Sequence, residues 1–169
     1  MNAHSVRPAI RADLPAVARL AASLVRLHHG FDPDRFLCME PLEPGYERVL
    51  GGELADDDAV ILVAVARASA SSEDGERVVG YAYGRLEPRD WNELLDACGK
   101  IHDVYVDEAA RGQGAAKVLV EAMVARLESK GAPRVVLLSA TPNVAAQRLF
   151  AKLGFRPTMV EMTRETKAK

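Results

Sequence analysis

The sequence predicts a single α/β domain, a mixed and mostly antiparallel sheet of six or seven strands with helices on both faces. Three observations predict it. An apolar run, Ala59 to Ala66, and a second strand, Val78 to Leu86, are joined by a short polar stretch, which favours an antiparallel hairpin. A strand at Ile101 to Val106, a glycine-rich turn, a helix and a further strand at Val135 to Leu138 form a crossover unit. Finally, 169 residues, nearly half of them apolar, are enough to bury one core.

Each element has a local cause. Val6 to Ile10 reads as a short first strand. Asp13 followed by Pro15 reads as an N-cap with proline in the first turn, and Leu14, Val17, Leu20, Ala21, Leu24 and Leu27 then recur at helical spacing until Gly30. Phe31 to Gly45 is broken by proline and glycine and reads as a loop, followed by a short helix from about Tyr46 to Leu54. Ala59 to Ala66 is β-branched without alternation, as suits a strand covered on both faces. Ser69 to Gly75 reads as a polar turn, and Pro88 to Gly99 as a loop with a helical turn near Trp91 to Leu95. From Gly114 to Lys130 the period is helical, with Ala116, Val120, Met123, Val124 and Leu127 on one face; Gly131 and Pro133 end it. Val135 to Leu138 reads as a buried strand parallel to Ile101 to Val106. A last helix, Asn143 to Leu153, buries Ala146, Leu149, Phe150 and Leu153. A final strand, Phe155 to Thr163, follows it, and the tail from Arg164 reads as disordered.

Composition narrows the function. The formal charge of −2 argues against a strongly basic face, and so against nucleic acid as an obligate partner, without excluding an RNA-bound substrate. Cys38 and Cys98 have no metal-type spacing and read as thiols in a reducing cytoplasm. The first residues lack a signal-peptide pattern, and the longest apolar run is too short to span a bilayer, so the expectation is a cytoplasmic protein with no membrane partner. His28 and His29 point to different helix faces with no third ligand at useful spacing, so no metal is expected. The acids from Glu53 to Asp58 read as a solvated loop, or as a lure for a cationic amine at a cleft mouth.

The chemistry concentrates in one turn. A strand ending at Val106 passes through Arg111-Gly112-Gln113-Gly114 and enters a helix at Ala115-Ala116. That geometry gathers unpaired backbone N–H groups and the positive end of a helix dipole at one spot, where an anion is stabilised. Glycines 112 and 114 allow close backbone approach to a phosphate, and Arg111 adds a cation. The competing reading is an ordinary strand-to-helix turn punctuated by glycine. A Walker loop fails because Lys117 follows Ala116 and precedes Val118. A Rossmann fingerprint fails because the third glycine is missing and Ser139 stands where the acid belongs.

Val106-Asp107-Glu108-Ala109-Ala110-Arg111-Gly112-Gln113-Gly114-Ala115-Ala116 resembles motif A of the GNAT superfamily of N-acetyltransferases. Asn143-Val144-Ala145-Ala146-Gln147-Arg148-Leu149-Phe150-Ala151-Lys152-Leu153-Gly154-Phe155 resembles its motif B, and the order of elements matches from about residue 5 to 163. The resemblance implies a GNAT fold with a splayed central pair of parallel strands. It also implies acetyl-coenzyme A as cosubstrate, its pyrophosphate on Arg111 to Ala116 and its pantetheine arm on Val104 and Val106. A backbone N–H near Val104 or Tyr105 would polarise the thioester. Asn143 would touch the cofactor as well as cap its helix.

Acetyl transfer to an amine needs the amine neutral, so a base must take a proton before attack. His102 and Asp103, on the strand beside the thioester, are the first candidates and Glu87 the third; each also has a structural reading. The pair resembles the Glu-Asp of diamine acetyltransferases, with His102 in place of the Glu. Many relatives carry a Tyr in motif B that protonates the departing thiolate, and this chain has Phe150; water, the backbone or Tyr105 would substitute. The reading is transfer of an acetyl group to a primary amine of a small molecule, by a domain spanning residues 1–169 that forms a homodimer through its Met-rich last strand. The alternatives are a protein lysine or N-terminal acetyltransferase, acting on a peptide amine, and a non-catalytic acyl-coenzyme A sensor.

Overall fold

The computed structural model describes residues 4–66 and 76–166, so the turn expected over Ser69 to Gly75 lies outside the described residues. Along the chain run β1 (His4–Pro8), α1 (Leu14–Phe31), α2 (Glu43–Glu53), β2 (Ala59–Ala66), β3 (Arg77–Glu87), β4 (Cys98–Val106), α3 (Ala115–Ser129), β5 (Val135–Leu137) and α4 (Val144–Lys152). The sheet has the order β1-β2-β3-β4-β5; β1 to β4 are antiparallel, and β5 is parallel to β4.

The unbroken apolar run of β2 is explained by two cores, one on each face of the sheet. Val60, Leu62 and Ala64 pack with Leu119, Val120, Met123 and Leu127 of α3. Ile61, Val63 and Val65 pack with Val17, Leu20 and Ala21 of α1 and Leu50 of α2. Helices therefore cover both faces, as expected.

The sheet has five strands among the described residues rather than six or seven. The strand expected over Phe155 to Thr163 is exposed coil, with Met159, Val160 and Met162 each more than three-quarters exposed. A strand exists only through its pairing. Here Pro157 supplies no N–H, the adjoining edge strand β5 is three residues long, and the segment turns instead toward the loop after α1, where Arg35 pairs with Glu161. Leu138 is 80% exposed rather than buried, because it lies past the end of β5. No residue of α4 is fully buried; Phe150 and Leu153 only lean on the α3-side core.

The start of α1 also differs from expectation. Asp13 precedes the helix but does not cap it with its side chain. Its carboxylate accepts from the Ile10 N–H (2.8 Å) and pairs with Arg7 (2.7 Å), which holds its pKa below the usual carboxylate range. Among the described residues no helix is long and apolar enough to cross a membrane, and both cysteines are free.

Candidate active site

The turn between β4 and α3 has the backbone expected of the cradle. Gly112 (φ 78°) and Gly114 (φ 87°) both occupy the left-handed region, and Gly114 is the N-cap of α3 with no side-chain cap. Among the described residues the backbone N–H groups of Gly112, Gln113, Gly114, Ala115 and Ala116 have no acceptor, as the first turn of an uncapped helix requires. A Cβ built on either glycine meets no protein atom within 4 Å, so packing does not require glycine at either position and the positive φ does. Arg111 is more engaged than the sequence implied. Its Nε donates to the Val106 carbonyl (3.1 Å), Nη1 reaches Glu108 (3.4 Å), and the guanidinium lies 5.3 Å from the Tyr105 ring centre. The Gln113 side chain turns back toward the Ala109 carbonyl, leaving its main chain to face the cradle.

The strands beside the cradle separate. β5 pairs with β4 only from Gly99 to Ile101, and from His102 onward that edge of β4 has no strand partner. On the other edge the Asp107 N–H donates to Val79 O (2.8 Å), which makes 79/107 a hydrogen-bonded pair and, by alternation, 81/105 and 83/103 as well. The main-chain groups of Tyr105 and Asp103 therefore belong to β3, while those of Val104 and Val106 face the gap. Val106 O is taken by Arg111, so the Val104 N–H and C=O and the Val106 N–H are the groups left open. The side chains of Val104 and Val106 pack into the α3-side core.

A register shift in β4 places the polar groups. Tyr83 pairs with Asp103 and Gly84 with Ile101, so His102 is the extra residue of a bulge. The bulge lets His102 and Asp103 share one face. The His102 ring stacks on Tyr83 (centroids 5.2 Å apart), and its Nε2 lies 2.9 Å from Glu87 Oε1. A carboxylate accepts, so Nε2 carries the proton and Nδ1 is left for a ligand. Asp103 accepts from the Tyr81 hydroxyl (2.9 Å); burial nonetheless raises its pKa, against the lowering effect of Tyr81, His102 and His28. Burial and the Asp103 charge raise the pKa of Tyr81 well above the ordinary tyrosine value and that of Tyr46 to about 12. Glu53 and Asp56 are committed to a local network: Glu53 accepts from the Tyr83 hydroxyl (2.8 Å) and Arg85 (3.1 Å), and Arg85 also reaches Asp56 (3.2 Å).

A cleft opens beside the β4 bulge. It is lined by β4 from Ile101 to Val104, the end of β5 and α4 residues including Phe150, and it holds about 70 Å³, room for a few waters. Asn143 lies at its wall and caps α4, accepting from the Ala146 N–H (3.2 Å). Phe150 also lines it and rests edge-on against Phe155, so a ring without a hydroxyl stands where motif B commonly offers one. Tyr105 is not among the lining residues; its ring packs on the α1/α2 side of the sheet, against Arg111.

Two lining residues were missed from the sequence. Ser139 has a buried hydroxyl with no partner, and nothing in its local pattern signals that. His28 does have a signal, because it continues the buried α1 stripe of Val17, Ala21 and Leu24 at helical spacing. The adjacent His29 diverges to the Phe36 carbonyl, 2.8 Å away. Among the described residues no group of three His, Cys, Asp or Glu side chains could hold a metal ion.

Comparison with known proteins agrees with this geometry. A mycothiol acetyltransferase of a Nocardioides species is 33% identical over 103 residues, covering 59% of this chain and 34% of that protein. The chain spans about a third of the length of the curated relatives it matches. Among solved structures, a Bacillus halodurans protein described as a transcriptional regulator superposes with a TM-score of 0.71 at 23% identity, covering 96% of this chain and 99% of that one. Glucosamine-6-phosphate N-acetyltransferase of Arabidopsis thaliana gives a TM-score of 0.67 at 19% identity, covering 97% and 99%. At these identities the structures share the fold. The model of the acetyltransferase (GNAT) family matches residues 26–155, which include the cradle, the β4 bulge and α4. The chain belongs to the GNAT family of acetyltransferases.

Proposed function

We propose that the protein transfers the acetyl group of acetyl-coenzyme A to the primary amine of a small molecule. The observation that carries this reading is the run of five amides from Gly112 to Ala116 without a partner among the described residues, beside a strand edge whose Val104 groups are free. The first would hold a pyrophosphate, and the second an extended arm that pairs like an added strand. The partnerless Ser139 hydroxyl lies on the opposite wall, where an amide-bearing arm offers it a partner.

The chain's own groups supply the rest. The Val104 N–H, rather than that of Tyr105, is aimed to donate to the thioester carbonyl as negative charge develops there. His102 takes a proton from the acceptor ammonium through Nδ1, directly or through one water, with Glu87 holding the ring and stabilising the imidazolium. The freed nitrogen lone pair attacks the carbonyl carbon, the C–N bond forms, the nitrogen gives up its second proton to solvent as the C–S bond breaks, and the thiolate leaves to take up a proton from solvent. Phe150 donates nothing, and a thiolate at neutral pH needs little help. A small acceptor is favoured over a protein by the mycothiol acetyltransferase relatives and by the cleft's narrow floor.

We assign the same reading a cytoplasmic setting, supported by two free thiols, and a homodimer. The dimer is supported by exposed Leu138, just past the end of β5, and by exposed Met159, Val160 and Met162 of the C-terminal segment, apolar surface that a second copy would bury. Sedimentation showing a monomer at micromolar concentration refutes it. The activity is tested by calorimetry with acetyl-coenzyme A, followed by free-thiol release against amines and lysine peptides. Tight binding with no release from any acceptor would favour the sensor reading, and no binding would sink both.

A further inference from the structure

Resting on the acetyl-transfer reading, we infer that His28 of α1 binds the acceptor and selects amines that carry a second N–H or O–H donor. His28 lines the cleft opposite the β4 bulge, in the same wall as Leu24. Its Nδ1 lies 2.9 Å from the Leu24 carbonyl one turn earlier. A carbonyl only accepts, so Nδ1 carries the proton, and in the neutral ring Nε2 is a bare acceptor. The ring is held edge-on between Phe31 (5.8 Å) and Phe36 (5.0 Å), which fixes its plane without offering Nε2 a donor. No hydrogen bond to Nε2 is made by any described residue.

The groups that share this space are acceptors too. Asp103 is close enough that the His28 charge, when present, lowers its pKa; His102 offers Nδ1 with Glu87 behind it. Neither Lys nor Arg lines the cleft. Ser139 and Asn143 also line the cleft, but the three acceptors His28 Nε2, Asp103 and His102 Nδ1 leave a monofunctional alkylamine with too few donors once its reacting nitrogen faces the thioester. A diamine or amino alcohol can satisfy both the reaction geometry and His28, and a site with an unmet acceptor discriminates against the analogue lacking the donor.

The test compares propylamine, 3-aminopropanol and 1,3-diaminopropane as acceptors at saturating acetyl-coenzyme A. The wild-type protein should prefer the two bifunctional amines over propylamine by at least about 10-fold in kcat/KM, expressed mainly in KM. His28→Phe keeps the aromatic contacts and should abolish the preference, while His28→Gln, which retains an acceptor oxygen, should restore part of it. Acetyl-coenzyme A affinity should stay within about 2-fold in both. Equal preference in wild type and His28→Phe overturns the inference. The ¹⁵N resonance of His28 Nε2 supplies a readout without turnover: it should move on titration with 1,3-diaminopropane, and a static resonance also overturns the inference. Movement without any thiol release would defeat acetyl transfer to these amines and leave the role of His28 standing.

Discussion

Gly114→Ala separates the two jobs of the cradle glycine. Its φ of 87° is costly for any residue with a Cβ, by about 1–2 kcal/mol. For a chain of 169 residues that lowers Tm by about 2–8 °C. The new methyl meets no protein atom within 4 Å, so no packing penalty adds to this. On the cradle reading, the same methyl would crowd a pyrophosphate held by the amides of Gly112 to Ala116. Displacing an anion from even one charge-assisted hydrogen bond costs about 1.5–3 kcal/mol, or about 10–150-fold in Kd. Gly131 provides the control. It has φ 95° and open space at its Cβ, but it sits at the far end of α3, about 22 Å along the helix axis from the cradle. Gly131→Ala should lower Tm by a similar amount and leave acetyl-coenzyme A affinity unchanged. Calorimetry and thermal melts on both variants decide the matter. Equal affinities would show that the glycine serves only the turn; Gly114→Asp, which adds a carboxylate, should abolish binding outright.

Arg111→Ala should weaken acetyl-coenzyme A by less than about 10-fold, because its guanidinium is already engaged with Val106 O and Glu108; a loss as large as that for Gly114→Asp would move the main anion contact to the side chain. His102→Ala should lower kcat by about 10²-fold or more with cofactor affinity unchanged, and Glu87→Gln should lower it less; normal turnover in both would place the base elsewhere. Asp103→Asn should change how stability depends on pH. Because burial raises the Asp103 pKa in the folded state, its contribution is fully present below the ordinary carboxylate range and lost as pH rises through the raised value. Melts from pH 4 to 7 should therefore show the variant gaining on wild type as pH rises, and a widening loss would contradict the assignment. Phe150→Tyr should change turnover by no more than several-fold; a much larger gain would show that protonation of the thiolate limits the wild-type rate.

What was legible in the sequence followed from patterns with a local cause. β2 was bounded correctly because a β-branched run without alternation has to be covered on both faces, and two cores cover it. The cradle was legible because glycines at 112 and 114 mark positive φ at a helix start. The last strand was misread because composition cannot say whether a partner edge is within reach, and Met159, Val160 and Met162 have none in their own chain. The β4 bulge was invisible for a related reason. Period 2 would put His102 and Asp103 on opposite faces, and only the register against Tyr83 and Gly84 brings them together. His28 was set aside as a metal ligand, and the recurrence of its position four residues after Leu24 carried the better signal.

The glycine turn and the β4 cleft are opposite in character, and under the proposed acetyl transfer that opposition would order the reaction. At the α3 end, backbone amides and a helix dipole attract anions using groups that cannot titrate. At the β4 bulge, Asp103, the Glu87–His102 pair and the free His28 nitrogen are acceptors that favour cations. Between them runs the Val104 edge, which belongs to neither and is open only because β5 stops pairing at Ile101. In the proposed reaction, an ammonium approaching the acidic end would give up its proton there before its nitrogen could act as a nucleophile at Val104. The group that takes the proton has to stand on the acidic side, yet be able to hold a charge. His102 meets both conditions through Glu87. Asp103, already disfavoured as an anion by burial, is better suited to holding the acceptor than to cycling a proton.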